Sequence, residues 1–551
     1  MTLSCGLHMQ TFGSHSAAVP SRKTSGDWPR VAGLLLAIPC AVWLFSLARF
    51  YRRFIYDDSN GTVWAIADDM YISACFGRSL FSGTGFLWYE GAPKVEGISN
   101  PLWAAVIGAL HKLPGFSEDR LGLYVIGLNA LFLICVVLLF ARTARSALRV
   151  GQRAPRGSAL LVSLAAILLL PWCWSLSYWS AEGFEVALLS LITYAGLSLA
   201  LLPRTAASCL ALGLVLAMGF ATRMDFALLA SAVVLVALSH RRGSRLLLLW
   251  TALFSIALLG ALLAWRHDYY GDWLPNTYYL KTTGWRLSSR LQRGLRQNQA
   301  LLLTAWLAYL PLLLPAVRRN LGARLPCVAA GLCAFGLAVL YSCYVGGDAW
   351  SLFAGYDRHT AAAAVLLCWS LSLLIAAAAR TWYMRALCSV WCLLLVAAPV
   401  LAQNGMNQLQ RGLVLAESPM RGAERDWIRY GKRFREVSEP GARIAICPAG
   451  AIVYFSHRGG VDLLGKVEPI VAHLRANESR PRNMACWRNA PGHNKGDDPR
   501  VYEARAPEFA RGKLPRSQRQ LYFHFKYEGS HFFVRKGTDL VKPEFQAHAG
   551  R

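Results

Sequence analysis

Two adjacent carboxylates, Asp68 and Asp69, stand in the stretch 67–103, ADDMYISACFGRSLFSGTGFLWYEGAPKVEGISNPLW, which closely follows a strongly apolar segment. A carboxylate at the mouth of an apolar cavity can act as a general base or hold a cation. The alternative is structural, because acidic side chains also favour the first turn of a helix, and the residues that follow have helical spacing. The two roles are compatible, and the sequence does not decide which aspartate would be the base.

Polar side chains that could bind a substrate also occur in two later segments. The first, WRHDYYGDWLPNTYYLKTTGW, contains Asn276 and Lys281, which can donate to a phosphate at the level of lipid headgroups. The second, YVGGDAWSLFAGYDRHT, contains Asp348 after two glycines that permit close backbone approach. The charged residues of ATRMD, in contrast, favour structural pairing near the membrane. No P-loop, GxGxxG, GxSxG or HExxH motif stands in a fitting context, so nucleotide hydrolysis and metalloprotease chemistry lack support.

The composition is that of a polytopic membrane protein. Of 551 residues, 55% are hydrophobic, and the mean hydropathy is +0.33. This apolar content exceeds what the core of one soluble domain can bury. The net charge of +27 comes mainly from short loops and the C-terminal tail. This placement favours topology signals and contact with anionic lipid over nucleic-acid binding. The 14 cysteines show no CxxC or zinc-ligand spacing.

Apolar runs near the length of about 20 residues that a helix needs to cross the hydrocarbon predict about eleven spans. They are 31–49, 120–141, 158–174, 184–202, 207–222, 226–240, 246–265, 299–316, 325–344, 360–379 and 386–402. The shorter run 101–113 predicts a helix lying at the interface. The first span follows three basic residues and is expected to be an uncleaved signal-anchor.

The loops between the predicted spans alternate in character. One set is basic, with Arg142, Arg145, Arg149, Arg153, Arg156, Arg241, Arg242, Arg245, Arg318, Arg319, Arg324, Arg380 and Arg385. By the positive-inside rule, these loops and the N-terminus are cytoplasmic. The segments 50–119, 175–183, 266–298, 345–359 and 403–551 then lie outside, together with the C-terminus. Because these outer segments hold the mixed acids and aromatics, an active site would open outward.

The pattern divides the chain into two predicted domains. Residues 1–402 form an all-α multi-pass transmembrane domain, and residues 403–551 form a small α/β domain outside the membrane. Within the latter, RGAERDWIRYGKRFREV has helical spacing, whereas ARIAICPAGAIVYFS and RQLYFHFKYEGSHFFVRK suit strands. Its two cysteines, Cys447 and Cys486, lie in a compartment that permits disulfides, and they are either bonded to each other or free.

The stretch 68–103 resembles the first outer loop of the GT-C class membrane glycosyltransferases, among them the mycobacterial terminal arabinofuranosyltransferases. That loop has the form DD-x-YI-S, then G-x-GL-x-W, then VEG-x-[ST]-N-x-LW. The segments YYGDWLPNTYYLK, YVGGD, VDLLGK and PGHNK are also similar to this family, and the matches run from residue 68 to residue 495. The chain departs from the family pattern at YDRHTAAAA, SAEGFEVALL and TRMD.

The resemblance implies an inverting transfer of a sugar, arabinofuranose in those relatives, from a polyprenyl-phosphate donor. The acceptor would be a glycan or glycoconjugate outside the bacterial cytoplasmic (inner) membrane, in cell-envelope assembly. Asp68 or Asp69 would be the base, or would hold a divalent cation if the reaction needs one. The implied donor-phosphate residues are Asn276, Tyr278, Tyr279, Lys281 and Arg358. The implied substrate-binding residues are Arg78, Trp88, Glu96, Asn100, Asp348 and His493.

Two other classes of membrane protein compete with this interpretation. A lipid or sugar transporter or flippase would carry charges within its spans and commonly repeats its halves, and the sequence shows no such repeat. An assembly protein makes no demand for a polar outer cavity. The positions of Asp68, Asp69, Lys281 and Asp348 distinguish the classes, because one shared cavity favours an enzyme and scatter favours the alternatives.

Overall fold

A computed structural model describes residues 28–58, 61–150, 158–239, 244–349, 357–378, 382–402, 421–476, 492–493, 495 and 498–549. The helices are α1 (Trp28–Leu35), α2 (Ala37–Tyr51), α3 (Asp68–Ser82), α4 (Pro101–Leu110), α5 (Leu121–Ala147), α6 (Ser158–Leu169), α7 (Trp174–Ala181), α8 (Val186–Ala200), α9 (Ala206–Thr222), α10 (Phe226–Ser239), α11 (Arg245–Tyr270), α12 (Asn276–Thr282), α13 (Leu287–Leu313), α14 (Pro315–Leu321), α15 (Leu325–Val345), α16 (Ala361–Ala378), α17 (Trp382–Ala402), α18 (Arg421–Val437), α19 (Ala451–Ser456), α20 (Pro469–Ala472), α21 (Pro499–Arg505) and α22 (Pro543–Ala549). The strands are β1 (Ile55–Asp58), β2 (Gly61–Trp64), β3 (Arg443–Ile446), β4 (Gly459–Asp462), β5 (Phe509–Ala510), β6 (Tyr522–Tyr527) and β7 (Ser530–Arg535).

Several helices are long and apolar enough to cross a bilayer. Within the described residues there are five such stretches, or six if the pair α6 and α7, bent by 65°, counts as one broken span. The five are Val31–Arg49, Glu118–Ala147, Arg245–Tyr270, Pro315–Val345 and Arg358–Ala377. The helices α4, α8, α9 and α10 are apolar but shorter. The chain is therefore a multi-pass membrane protein, and the total of about eleven spans stays a prediction.

The helix that carries the two aspartates, α3, is held against α4 by a pair of glycines. A Cβ on Gly77 would overlap the carbonyl oxygen of Ala104 and the backbone of Gly108, and a Cβ on Gly108 would overlap Gly77 in turn. The two backbones therefore touch directly at this point. Because α3 begins at Asp68, this contact fixes the depth and direction of the helix end that presents both carboxylates.

Alanine at Gly77 is expected to destabilise the protein, because α3 and α4 would have to separate to admit the methyl group. Overpacking of this kind costs about 1–3 kcal/mol. The measurement is thermal unfolding of the purified protein in detergent. Gly127→Ala is the matched control, since a Cβ on this helical glycine meets nothing within 4 Å, and it should not lower the stability. Equal melting temperatures for Gly77→Ala and wild type would contradict the close contact.

The C-terminal segment folds around a five-stranded mixed sheet of order β4-β3-β5-β7-β6. Strand β3 is parallel to β4 and β5, and β7 is antiparallel to β5 and β6. Strands thus lie in both segments predicted to contain them, and α18 covers the predicted helix. The prediction was wrong for the end of ARIAICPAGAIVYFS: the strand stops at Ile446, before Pro448 and Gly450, and the apolar run beyond forms α19.

This sheet is packed onto the helical part rather than standing apart from it. The ring of Tyr71 on α3 lies 5.2 Å from that of Tyr454 and 5.3 Å from that of Phe455, both on α19. These residues belong to one hydrophobic core that continues into the apolar helices. The predicted boundary at residue 402 adjoins residues outside the described ranges and stays a prediction. Cys447 is disulfide-bonded, whereas Cys486 lies outside the described residues.

The orientation of this sheet in the cell can be tested directly. The basic loops predict that the C-terminus lies outside the cytoplasm, so a reporter that is active only outside, fused after Arg551, is expected to be active. The same reporter inserted between Arg241 and Arg242, in a loop predicted to be cytoplasmic, is the inactive control. An inactive C-terminal fusion in a correctly inserted protein would contradict the outward orientation.

Candidate active site

A cavity with about 670 Å³ of space, part of which is open to solvent, lies where the ends of several helices meet the C-terminal segment. It is lined by Asp69, Met70, Ile72, Ser73, Gly97, Ile98, Ser99, Asn100, Phe184, Glu185, Arg223, Thr277, Leu280, Lys281, Asp348, Ala349, Arg358, Lys466, Gly492 and His493. These residues lie in, or directly beside, segments that the basic-loop pattern places on the outer side. The described parts of the basic loops contribute none of them.

The two adjacent aspartates point to different surroundings. Asp68 is buried, and its carboxylate accepts the backbone N–H of Ala451 at 2.8 Å and that of Gly450 at 3.3 Å. It therefore caps α19, from the C-terminal segment, and does not line the cavity. Burial raises the pKa of Asp68 to about 6, against the opposing effect of the Lys466 charge.

Asp69 faces the cavity. Its carboxylate forms an ion pair with Lys466, and it lies 3.7 Å from the guanidinium of Arg358, with 13% of the side chain exposed. Burial alone would raise the pKa of Asp69, but the charges of Lys466 and Arg358 outweigh it and hold the pKa below its usual range. Asp69 is therefore ionised at neutral pH.

Arg358, the first residue of the candidate span Arg358–Ala377, is held from two sides. Its Nε donates to Asp348 at 3.0 Å, and its backbone N–H donates to the same carboxylate at 3.1 Å. Its guanidinium also lies over the rings of Phe184 and Trp179, 4.8 and 5.2 Å from their centroids. A cation held on aromatic faces and by a carboxylate is preorganised to meet an anion.

Lys281, on α12, is the cavity cation without a carboxylate within ion-pair distance among the described residues. Burial, and then the charge of Arg358, lower its pKa to about 8. Burial, followed by the Lys466 charge, lowers the pKa of His493 to about 3, so its imidazole is neutral. Among the described residues, four cations and three carboxylates line the cavity, which leaves one positive charge in excess.

Asn276 and the residues around it position these cations. The Asn276 side-chain amide donates to the carbonyl oxygens of Gly465 and Lys466, both at 3.0 Å, and so ties α12 to the loop that carries Lys466. Asp462 shapes the same loop by accepting the N–H groups of Leu464 and Val467, both at 2.9 Å. These hydrogen bonds therefore fix the helix that carries Lys281 and the loop that carries Lys466 relative to each other.

Of the predicted site residues, Asp69, Asn100, Lys281, Asp348, Arg358 and His493 line the cavity. The others lie elsewhere, with partners of their own. Arg78 pairs with Glu118 at 3.0 Å, and Glu96 is buried against Arg266 at 2.5 Å. The indole of Trp88 donates to the Ala449 carbonyl at 3.1 Å. The Tyr278 hydroxyl contacts that of Tyr344, and the Tyr279 ring lies 4.8 Å from that of His473.

Three charged residues of the cavity, Lys466, Glu185 and Arg223, were not among the predicted site residues. The expected pairing in ATRMD is present, since Arg223 contacts Asp225 and Glu185, both at 2.7 Å. Glu185 also accepts from the Asn100 amide at 2.8 Å. Lys466 ends the VDLLGK segment, and its place after a strand and a glycine turn was the signal available in the sequence.

A divalent cation shared by Asp68 and Asp69 does not fit this arrangement. Asp68 faces the N-terminus of α19, and Asp69 faces Lys466 and Arg358. Among the described residues there is no group of three or more histidine, cysteine or carboxylate side chains placed to hold a metal ion. The described lining instead places cations beside a carboxylate, an arrangement that can accept an anion.

Comparisons with known proteins add a distant likeness in fold. No protein-family model matches the chain, and no curated protein matches it. Among solved structures, ArnT from Cupriavidus metallidurans bound to undecaprenyl phosphate aligns with 93% of this chain and 99% of its own, with a TM-score of 0.49 and 12% identity. The apo structure of ArnT gives the same score and identity over 94% and 100%. Such a distant likeness assigns neither substrate nor residue roles, so these must come from the cavity itself.

Proposed function

We propose that this chain is a GT-C class membrane glycosyltransferase that moves a sugar from a polyprenyl-phosphate donor to an acceptor hydroxyl at the outer side of the membrane. The observation that carries the proposal is the shared cavity, in which Asp69 lies 3.7 Å from Arg358 and which Lys281 also lines. A carboxylate for a proton and cations for a phosphate are what this reaction requires. A lipid-linked donor also explains why such a site would adjoin the bilayer.

The donor phosphate fits the charge of the cavity. A phosphodiester carries one negative charge, which the single excess positive charge can balance. Lys281 and Arg358 can donate to its oxygens, and their charges would stabilise the second negative charge that forms as polyprenyl phosphate leaves. Because Arg358 is already held by Asp348, little reorganisation is needed during the reaction.

Asp69 is the proposed base. The acceptor oxygen would attack the anomeric carbon from the side opposite the phosphate, so that the sugar–phosphate bond breaks with inversion. The attacking hydroxyl becomes strongly acidic as its new bond forms, so an ionised carboxylate of lowered pKa can still take the proton. Asp68 would act indirectly, by holding α19 and the start of α3 in place.

The location of the charges favours an enzyme over a transporter. Asp69, Lys281 and Asp348 line one cavity, and Asp68 is the direct neighbour of Asp69. A transporter would be expected to place charges along its spans rather than gather them at the helix ends. Transfer of arabinofuranose to a cell-envelope glycan or glycoconjugate is the finer form of this proposal, and it depends on the family resemblance of the outer loops.

The test incubates membranes containing the protein with a panel of polyprenyl-phosphate sugars, including the arabinofuranose form. We expect one donor to be consumed with release of polyprenyl phosphate, and membranes carrying Asp69→Asn to consume none. A donor that crosses the bilayer of proteoliposomes chemically unchanged would support the transporter instead. If a folded wild-type protein consumes no member of the panel, the proposed function is wrong.

A further inference from the structure

A second and larger cavity lies between the first outer loop and the C-terminal sheet. It has about 1250 Å³ of space, part of which is open to solvent. Residues 88–93 bound it on one side, and the edge strand β4 with its flanking loops bounds it on the other. None of its lining residues belongs to the first cavity. Its lining combines aromatic rings with arginine side chains, two of which are paired with glutamates.

Two consecutive glycines in β4 create the aromatic side of this cavity. A Cβ on Gly459 would lie 3.0 Å from the ring of Tyr89, and a Cβ on Gly460 would overlap the ring of Trp88. The two rings therefore rest directly on the strand backbone. Trp88 is also fixed by its bond to the Ala449 carbonyl, while Tyr89 is only partly buried and faces the cavity.

Two arginines supply oriented donors on the same wall. Arg443 uses Nε and Nη2 on the carboxylate of Glu508, at 3.4 and 2.9 Å. Arg505 uses Nε and Nη2 on Glu468, at 2.8 and 3.0 Å. Among the described residues, the Nη1 atom of each guanidinium has no hydrogen-bond acceptor. Burial raises the pKa of the Tyr89 phenol, and the charges of Arg443 and Arg505 oppose that rise.

The two cavities are separated by a thin partition. Lys466 lines the first cavity, and the next two residues, Val467 and Glu468, line the second. Gly97 of the first cavity abuts the Val467 side chain, so closely that a Cβ on Gly97 would meet it. An oligomeric ligand bound in the second cavity would therefore be separated from the first cavity, and from Asp69, only by this partition.

We propose that the second cavity binds sugar units of the acceptor, so that the acceptor is an oligosaccharide whose terminal residue reaches the first cavity. An aromatic face suits the C–H side of a sugar ring, and guanidinium N–H groups held by carboxylates suit its hydroxyls. Arg443 and Arg505 are each neutralised by a glutamate, so these donors favour a neutral sugar over a phosphate. A third lining arginine, Arg458, donates to the Ser438 carbonyl oxygen at 2.8 Å. This inference rests on the proposed transferase function for the role of the bound sugar, but not for the binding itself.

The test measures binding of the full-length protein in detergent to an array of defined neutral oligosaccharides, with inorganic phosphate as the competing probe. We expect binding of at least one oligosaccharide, and a loss of about tenfold or more in affinity for Tyr89→Ala. Tyr89→Phe, which keeps the ring, should retain most of the affinity. Tyr124→Ala, which removes a partly buried tyrosine stacked on Phe116 at 5.7 Å, is the matched control and should bind as wild type.

A second measurement separates this inference from the proposed function. Consumption of the donor with water as acceptor should be unchanged in Tyr89→Ala, whereas Asp69→Asn should lose donor consumption and keep sugar binding. Sugar binding without any donor consumption would leave the second cavity supported and the transferase function wrong. Wild-type protein that binds none of the sugars, that binds phosphate in their place, or that loses nothing in Tyr89→Ala would overturn the inference.

Discussion

Asp69→Asn is expected to abolish sugar transfer while the protein remains folded in the membrane. Asparagine keeps the size of the side chain but cannot accept a proton at neutral pH, and loss of a general base typically lowers the rate by about 10²–10⁴. The donor KM is expected to change much less than kcat, because Lys281 and Arg358, which are proposed to bind the donor phosphate, are unchanged in this variant. The measurement is the initial rate of transfer with a confirmed donor, together with the melting temperature of the variant.

Asp68→Asn is the most informative partner of that variant. The single side-chain oxygen of asparagine can accept from one of the two N–H groups, of Ala451 and Gly450, but it lacks the negative charge of the carboxylate. We therefore expect a loss of stability of about 1–3 kcal/mol. The folded fraction should keep kcat within about tenfold. Asp57→Asn, an exposed aspartate in the β1–β2 hairpin, is the neutral control. An active Asp69→Asn beside an inactive but stable Asp68→Asn would reverse the assignment.

The sequence indicated many of the residues that line the cavity because they stand in segments predicted to share one side of the membrane. Asp69, Lys281, Asp348 and Arg358 are separated by up to 289 positions, yet each follows or precedes an apolar helix on the same predicted side. Because successive spans cross the membrane in opposite directions, the helix ends next to these residues lie on the same side for any packing of the helices. The family-like motifs added His493, which lies in the C-terminal segment and could not be placed by alternation alone.

The choice between Asp68 and Asp69 could not be made from the sequence, for a geometric reason. Successive residues of a helix point about 100° apart, so the two carboxylates must face different surroundings. What occupies each direction is set by residues far along the chain: Ala451 in one case and Lys466 in the other. Neither contact has a local signal near Asp68.

Several predicted substrate residues proved to have structural partners for a related reason. A charged or aromatic side chain in a loop can stabilise that loop as readily as it can bind a ligand. Glu96 shows this clearly, because its carboxylate is buried and fully engaged by Arg266. Glu96 is buried because α11 packs against its loop, and the order of residues in the loop does not predict that packing.

Removal of the Lys281 charge is expected to weaken use of the donor. Lys281→Ala deletes a charge-assisted contact to the donor phosphate, which is worth about 1.5–3 kcal/mol, so kcat/KM for the donor should fall by roughly 10- to 100-fold. Stability should change little, because no described carboxylate pairs with Lys281. Lys94→Ala, an exposed lysine in the first outer loop, is the matched control and should leave kcat/KM unchanged. A normal kcat/KM for Lys281→Ala would leave Lys281 without a role at the phosphate.

The pH dependence of donor use gives Lys281 a second, independent test. Burial and the neighbouring Arg358 lower its pKa to about 8, so the protonated form that a phosphate requires is lost as the pH rises through 8. We therefore expect the donor KM of the wild type to increase between about pH 7.5 and 9. Lys281→Arg keeps its charge over this range, because the guanidinium does not lose its proton, and its donor KM should stay flat even if its absolute value is higher. The same alkaline rise in Lys281→Arg would assign the titration to another group and remove Lys281 from the donor site.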